Sequence, residues 1–200
     1  MFTGTLALLV QHLKKLPGIG NKSARRMAMH LIRMNKAEAI ALAESIKTAV
    51  EKYRNCSVCN LLSEDDPCQF CRAPNRRDDL LCIVENTQDV YLIEETNEFN
   101  GRYFVLSNLL SPIDGIGPDQ INFPALCEYL RQHQVKEIIL ALNPSAEGES
   151  TINFLAAELA TEIGKITRLS TGIPFGGDIE YTTSITLGNA LKRRYKVNDQ

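Results

Sequence analysis

Four cysteines, Cys56, Cys59, Cys68 and Cys71, form two CxxC pairs with eight residues between them. Thiolate sulfur is a soft donor, and two such pairs supply the tetrahedral set of four that zinc prefers. The competing chemistry is a pair of disulfides, which requires an oxidising compartment. Residues 6–10 are too short an apolar run for a secretory signal, have no basic region before them, and are followed by Gln11, His12, Lys14 and Lys15. The spacing therefore predicts one structural zinc per chain. With every position of the tetrahedron taken by sulfur, none is left for water or substrate, so the metal is expected to staple and not to catalyse. Glu64, Asp65, Asp66 and Pro67 read as the polar turn between the pairs. Cys82 and Cys127 stand alone in apolar sequence and are expected in the core.

A second chemistry is phosphate binding. Leu-Pro-Gly-Ile-Gly, residues 16–20, sets Gly18 and Gly20 on either side of an aliphatic anchor, just before a stretch that carries Lys22, Arg25 and Arg26. Glycines let a backbone approach a phosphate closely, and a following helix aims its free amides at the same place. The plainer possibility is a tight turn between helices with a solvated basic face. A third chemistry is acidic. Glu85 follows the apolar run 80–84, and Asn143-Pro144-Ser145-Ala146-Glu147-Gly148-Glu149 follows the run 137–142.

Apolar periodicity supplies the elements that must hold these residues. Leu6, Leu9, Val10 and Leu13 mark a helix over 3–16, ended by Pro17 and Gly18. A second helix is expected from Asn21 or Ser23 to Met34, burying Ala24, Met27, Ala28, Leu31 and Ile32, and a third over 36–54, burying Ile40, Ala43, Ile46, Val50 and Tyr53. Beyond Cys71 the pattern changes. Strands are expected at 80–84, 103–106, 137–142 and 165–169, with helices at 90–95, 123–133, 149–163 and 185–195. Strands alternating with helices predict a mostly parallel sheet covered on both faces, with its crevice beyond the carboxyl ends of the strands. Glu85 and residues 143–149 fall at two of those ends. The fold class expected is thus a multi-module α+β and α/β chain.

These motifs carry a resemblance. Leu-Pro-Gly-Ile-Gly-Asn-Lys-Ser-Ala-Arg-Arg resembles the helix-hairpin-helix element with which DNA repair proteins grip the backbone without reading bases. Glu85 with Glu147-Gly148-Glu149 resembles the Toprim domain of topoisomerases, primases and nucleases, whose catalytic members hold magnesium with a glutamate and an Asp-x-Asp. Asn143 and Ser145 occupy the two aspartate positions here. An amide and a hydroxyl are neutral and weaken the pull on a hard cation, so neither nuclease nor strand-passing activity is expected. The alternative is a divergent enzyme using Glu85, Glu147 and Glu149 with magnesium; a third reading is a zinc-ribbon RNA binder. Residues 172–181 are glycine-rich but lack the Gly-Lys-Ser/Thr ending of a Walker loop, so no nucleotide hydrolysis is expected.

The ordered set, together with Leu110 to Pro118 and Gly172 to Tyr181, resembles the RecR family of bacterial recombination mediators over nearly the whole chain. That resemblance implies a helix-hairpin-helix lobe at 1–55, a C4 zinc finger at 56–71, a Toprim domain at 79–174 and a C-terminal segment with a helix at 175–200. It implies a cytoplasmic, nucleoid-associated protein without catalytic activity that works in DNA repair. Such a protein acts with RecO, and in some bacteria RecF, to load RecA on gapped or single-stranded DNA, and assembles as a ring, typically a tetramer. Gly18, Gly20, Lys22, Arg25 and Arg26 are then the DNA contacts, and Glu85, Glu147 and Glu149 the face for RecO. Departures from the family pattern are Phe104, Ser107 and Asn108 near the second strand and Thr183 near the end. Charge adds support: residues 1–55 carry ten Lys or Arg against three Asp or Glu, and 56–200 carry twelve against twenty-one. A basic front joined to an acidic remainder suits a polyanion at one and a protein at the other. Lys192, Arg193 and Arg194 read as a solvated helix end more than as a second DNA site.

Overall fold

The computed structural model describes residues 2–195, and the chain divides into two units, Met1–Tyr53 and Arg54–Gln200. The first consists of α1 (Gly4–Leu13), α2 (Asn21–Arg33) and α3 (Lys36–Lys52). Its core is Val10, Ala24 and Ala28, with Leu6, Leu9, Leu13 and Ile19 packed around them. The two alanines on α2 have no bulk, so α1 comes close to it there. The expected burial of Met27 and Ile32 does not occur; both are exposed. Helix α3 begins at Asn35, whose Oδ1 accepts the Ala37 amide at 2.8 Å, yet it buries no side chain at all. Ile40, Ile46 and Val50 are open, Val50 at 76% exposure. A lobe of this size offers too little partner surface to cover every apolar face.

The second unit starts with a small ribbon, β1 (Arg54–Asn55) paired antiparallel with β2 (Leu62–Ser63), followed by the one-turn helix α4 (Gln69–Arg72). The main sheet is β3 (Arg77–Val84), β4 (Gly101–Val105), β5 (Glu137–Ala141) and β6 (Lys165–Arg168), in the order β4-β3-β5-β6 with every pairing parallel. Its helices are α5 (Thr87–Glu95), α6 (Phe123–Gln132) and α7 (Ala146–Leu159), and α8 (Ser184–Lys192) closes the described chain. The step from β3 to β4 runs one way along the sheet and the later steps run the other, so right-handed crossovers put α5 on one face and α6 and α7 on the opposite one. The cores match. Leu81, Ile83, Phe104, Ile138 and Leu140 meet Leu126, Tyr129, Leu155 and Leu159 on one side, while Cys82, Val84, Tyr103 and Val105 meet Val90 and the cysteine ribbon on the other.

Local chemistry moved several boundaries. Helix α5 begins three residues earlier than periodicity suggested, because Asp89 Oδ2 reaches back to accept the Asn86 amide at 3.0 Å. Helix α7 spans 146–159 instead of 149–163, because Ser145 Oγ accepts the Gly148 amide at 3.0 Å. Helix α8 stops at Lys192; Arg193 instead donates to Thr171 Oγ1 at 2.7 Å. Cys82 is buried as expected, and burial pushes its thiol up to about 12. Cys127 is only half-buried, contrary to expectation. Among the departures, Phe104 is core and packs edge-on against Tyr129 at 5.8 Å, and Thr183 caps α8 through the Thr186 amide. The last five residues of the expected C-terminal segment, 196–200, lie outside the described residues. Among those described, no helix is long and apolar enough to cross a membrane.

Candidate metal centre and nucleic-acid interface

The sulfurs of Cys56, Cys59, Cys68 and Cys71 all lie within 4.8 Å of one another. Cys59 and Cys68 are 3.5 Å apart and Cys56 and Cys71 3.9 Å. A tetrahedral zinc with bonds of about 2.3 Å separates its sulfurs by about 3.8 Å, so the spacing fits the metal, and it is far too long for disulfides. The backbone shapes each loop. Cys56 N–H donates to Leu61 O at 2.8 Å and Asn60 N–H to Cys56 O at 2.9 Å, closing the first loop with Asn60 at φ +62°. Asp66 accepts the Ser57 amide at 2.8 Å, which holds its carboxyl below the usual range. The amide of Cys68 donates to Cys56 Sγ at 3.2 Å. Hydrogen bonds from Cys59 and Cys71 pull the Cys68 thiol down, while the bond to Cys68, with burial, pushes Cys59 up. Crowding four thiolates this closely is opposed by their mutual repulsion, which a divalent cation relieves.

In the first unit Gly18 sits at φ +75°, a conformation an L-residue adopts at a cost. Ile19 is packed into the core beside it, fixing the loop. Gly20 is the N-cap of α2 and offers no side chain, so the first amides of α2 have no side-chain partner. Lys22, Arg25 and Arg26 are all exposed, and among the described residues none of them takes part in a hydrogen bond or ion pair. Three free cations therefore lie on the first two turns of a helix whose N-terminus has no side-chain cap.

The acidic residues behave otherwise. Glu85, at the end of β3, accepts a hydrogen bond from Asn143 Nδ2 at 3.3 Å. Glu149 is clamped by Arg168 at 2.8 and 2.5 Å, which holds its carboxyl below the usual range. Glu147 lies on the exposed first turn of α7. Ser145 is spent as the cap of α7, and Gly148 is obligatory there, since a Cβ would fall 1.9 Å from the Asn143 carbonyl oxygen. Among the described residues the four cysteines alone gather three or more metal-ligating side chains. A cleft of about 280 Å³ beside the ends of β5 and β6 has mainly aliphatic walls, Leu92, Ile93 and Leu142 among them, and its one guanidinium is Arg168. Sequence reading did not anticipate Arg168; the available signal was a cation at the carboxyl end of an expected strand.

Comparison with known proteins follows the same divisions. A model of the RecR helix-hairpin-helix matches residues 6–50, one of the RecR four-cysteine zinc finger domain matches 53–73, and one of the Toprim domain matches 79–170. Residues 56, 59, 68 and 71 thus hold one structural zinc. Proteins named Recombination protein RecR match almost end to end. That of Gloeobacter violaceus is 44% identical over 98% of this chain and 100% of its own length. That of Gloeothece citriformis is 42% identical over 99% of each, and that of Acaryochloris marina 45% over 97% and 96%. Identity at this level over full length, with three family domains in order, places the chain in the RecR family of recombination proteins.

Proposed function

We propose that the protein is a non-catalytic recombination mediator that binds DNA without sequence preference. It acts with RecO, and RecF where present, to promote RecA loading on gapped or single-stranded DNA in the bacterial cytoplasm. The observation that carries this reading is the set of unpaired, exposed cations, Lys22, Arg25 and Arg26, on the first two turns of α2, whose uncapped N-terminus follows Gly18 and Gly20. Those groups suit backbone phosphate, which is the same at every sequence. Assembly into a ring-shaped homo-oligomer is supported by apolar surface left open in each unit: Ile46 and Val50 on α3, and Phe175, Tyr181 and Ile185 near the C-terminus. The absence of catalysis is supported by the use of Asn143 as a partner of Glu85 and Ser145 as a helix cap. The carboxylates Glu85 and Glu147 are offered as the docking face for basic RecO, with Glu149 held beside them by Arg168. The modules extend over 1–55, 56–71, 79–174 and 175–200.

The test separates the two surfaces. Lys22→Ala/Arg26→Ala is expected to weaken binding to gapped DNA and flatten the slope of log K against log salt by about two units, with RecO binding intact. Glu85→Ala/Glu147→Ala is expected to spare DNA and weaken RecO, most at low salt; Glu149 is left alone because its loss would free Arg168. A basic pair without effect on DNA overturns the hairpin as the DNA site. Plasmid nicking with magnesium that disappears in Glu85→Gln overturns the non-catalytic reading.

A further inference from the structure

Beyond the four ligands, one buried cation is built into the metal module. Arg102 follows Gly101 at the start of β4, and its side chain is only 13% exposed. Its Nη1 donates to the carbonyl oxygens of Phe70 at 2.5 Å and Cys71 at 3.1 Å, and its Nε donates to Asp78 Oδ1 at 2.8 Å. Helix α4 is a single turn, so its last carbonyls have no partner within the helix. Two of them are taken by one planar guanidinium, and one of those belongs to a zinc ligand. The first cysteine loop is tied to the far end of the same strand: Val105 N–H donates to Cys59 O at 2.9 Å, and Asn60 Nδ2 donates to Val105 O at 2.8 Å. Strand β4 thus holds both loops of the zinc module, the second one through Arg102.

Charge points the same way. Zinc with four thiolates carries two net negative charges in a cluster where Cys56, Cys59 and Cys68 are all buried. Of the other nearby guanidiniums, Arg76 lies over the Phe70 ring at 4.9 Å and is paired with Glu94, and Arg72 on α4 is paired with Asp65, so both charges are already matched. Arg102 is paired only with Asp78, which is 72% exposed and screens it weakly. We infer that Arg102 is the positioning residue of the zinc centre: it fixes Cys71 through that residue's own carbonyl and offsets part of the negative charge of the four thiolates.

The test uses the full-length protein and zinc or cobalt(II) alone. In Arg102→Met the zinc dissociation constant, measured by chelator competition, rises about 10- to 100-fold. The thiolate-to-cobalt absorption of the cobalt-substituted protein changes, and the gain in melting temperature on metal loading shrinks. Arg102→Lys recovers part of the affinity, because an ammonium supplies the charge but not the planar fork. Asp78→Ala stays within about fivefold of the parent, as an exposed pair contributes little. A purely structural arginine would lower the melting temperatures of the loaded and metal-free forms equally, with affinity and cobalt spectrum unchanged; that result overturns the inference. If the Met variant fails to fold even with zinc, the Lys variant decides, and parental zinc affinity with a parental cobalt spectrum there overturns it as well.

Discussion

Two clusters of potential metal ligands lie within the second unit, and they end differently. The four sulfurs converge to within 4.8 Å of one another. The carboxylates beyond the sheet are instead shared out, Glu85 to the amide of Asn143 and Glu149 to Arg168, with Glu147 left on the surface. Residue type decides part of this: a thiolate set binds zinc outright, whereas a hard-cation site needs several anions held together without compensating cations. Distance along the chain decides the rest. The sulfurs are gathered by short loops that carry their own hydrogen bonds, while the carboxylates come from the end of β3 and the first turn of α7, where Glu85 meets Asn143 and Glu149 meets Arg168 of β6. Charge density at a strand end is therefore not a site unless the adjacent strand leaves it unmatched.

The contrast can be broken most sharply at the sulfurs. Cys68→Ser removes a ligand that is fully buried in the core under one face of the sheet. It is expected to lower stability by about 4 kcal/mol or more, read by denaturant unfolding together with loss of bound zinc. Restoring the acidic pattern tests the other side. Asn143→Asp/Ser145→Asp keeps a capping oxygen for α7 but sets a second carboxylate against Glu85, at an expected cost of about 1–2 kcal/mol without metal. Millimolar magnesium should recover that loss in the variant and leave the parent unmoved; an equal response of the two would remove the distinction drawn here.

The Glu149–Arg168 pair gives a smaller, pH-dependent effect. Its folded carboxyl lies below the ordinary value, so its contribution is present above the unfolded glutamate pKa and is lost as pH falls through the depressed one. With Glu149 45% exposed, the contribution is under about 1 kcal/mol. Glu149→Gln should lower stability at neutral pH by up to that amount, converge with the parent at acid pH, and so flatten the acid limb of stability against pH. The smallest expected effect falls at Ser107, which joins the two clusters: its amide donates to Glu85 O at 2.9 Å and its Oγ accepts from Asn60 Nδ2 at 2.9 Å. It sits at φ +74°, a conformation that suits glycine better than serine. Ser107→Gly should raise stability by about 0.5 kcal/mol, the relief of that backbone outweighing the lost bond and added chain entropy; a decrease would mean that the Asn60 bond matters more than the strain.

What the sequence determined by itself was whatever depends on near neighbours. The CxxC spacing marked the zinc ligands, the Gly18 turn with its following cations marked the hairpin, and apolar runs marked all four strands of the sheet. These signals are legible because loops, caps and periodicity act within a few residues. Even the misplaced starts of α5 and α7 were encoded locally, in Asp89 and Ser145, which periodicity alone passes over. The tertiary structure decided which distant side chains meet. Asn143 reaches Glu85 across 58 positions, Arg168 reaches Glu149 across 19, and Arg102 reaches the Phe70 carbonyl across 32. It also decided that the apolar stripe of α3 stays open within its own lobe. Such meetings follow from strand order and from which face each helix covers, quantities that no single stretch of sequence specifies.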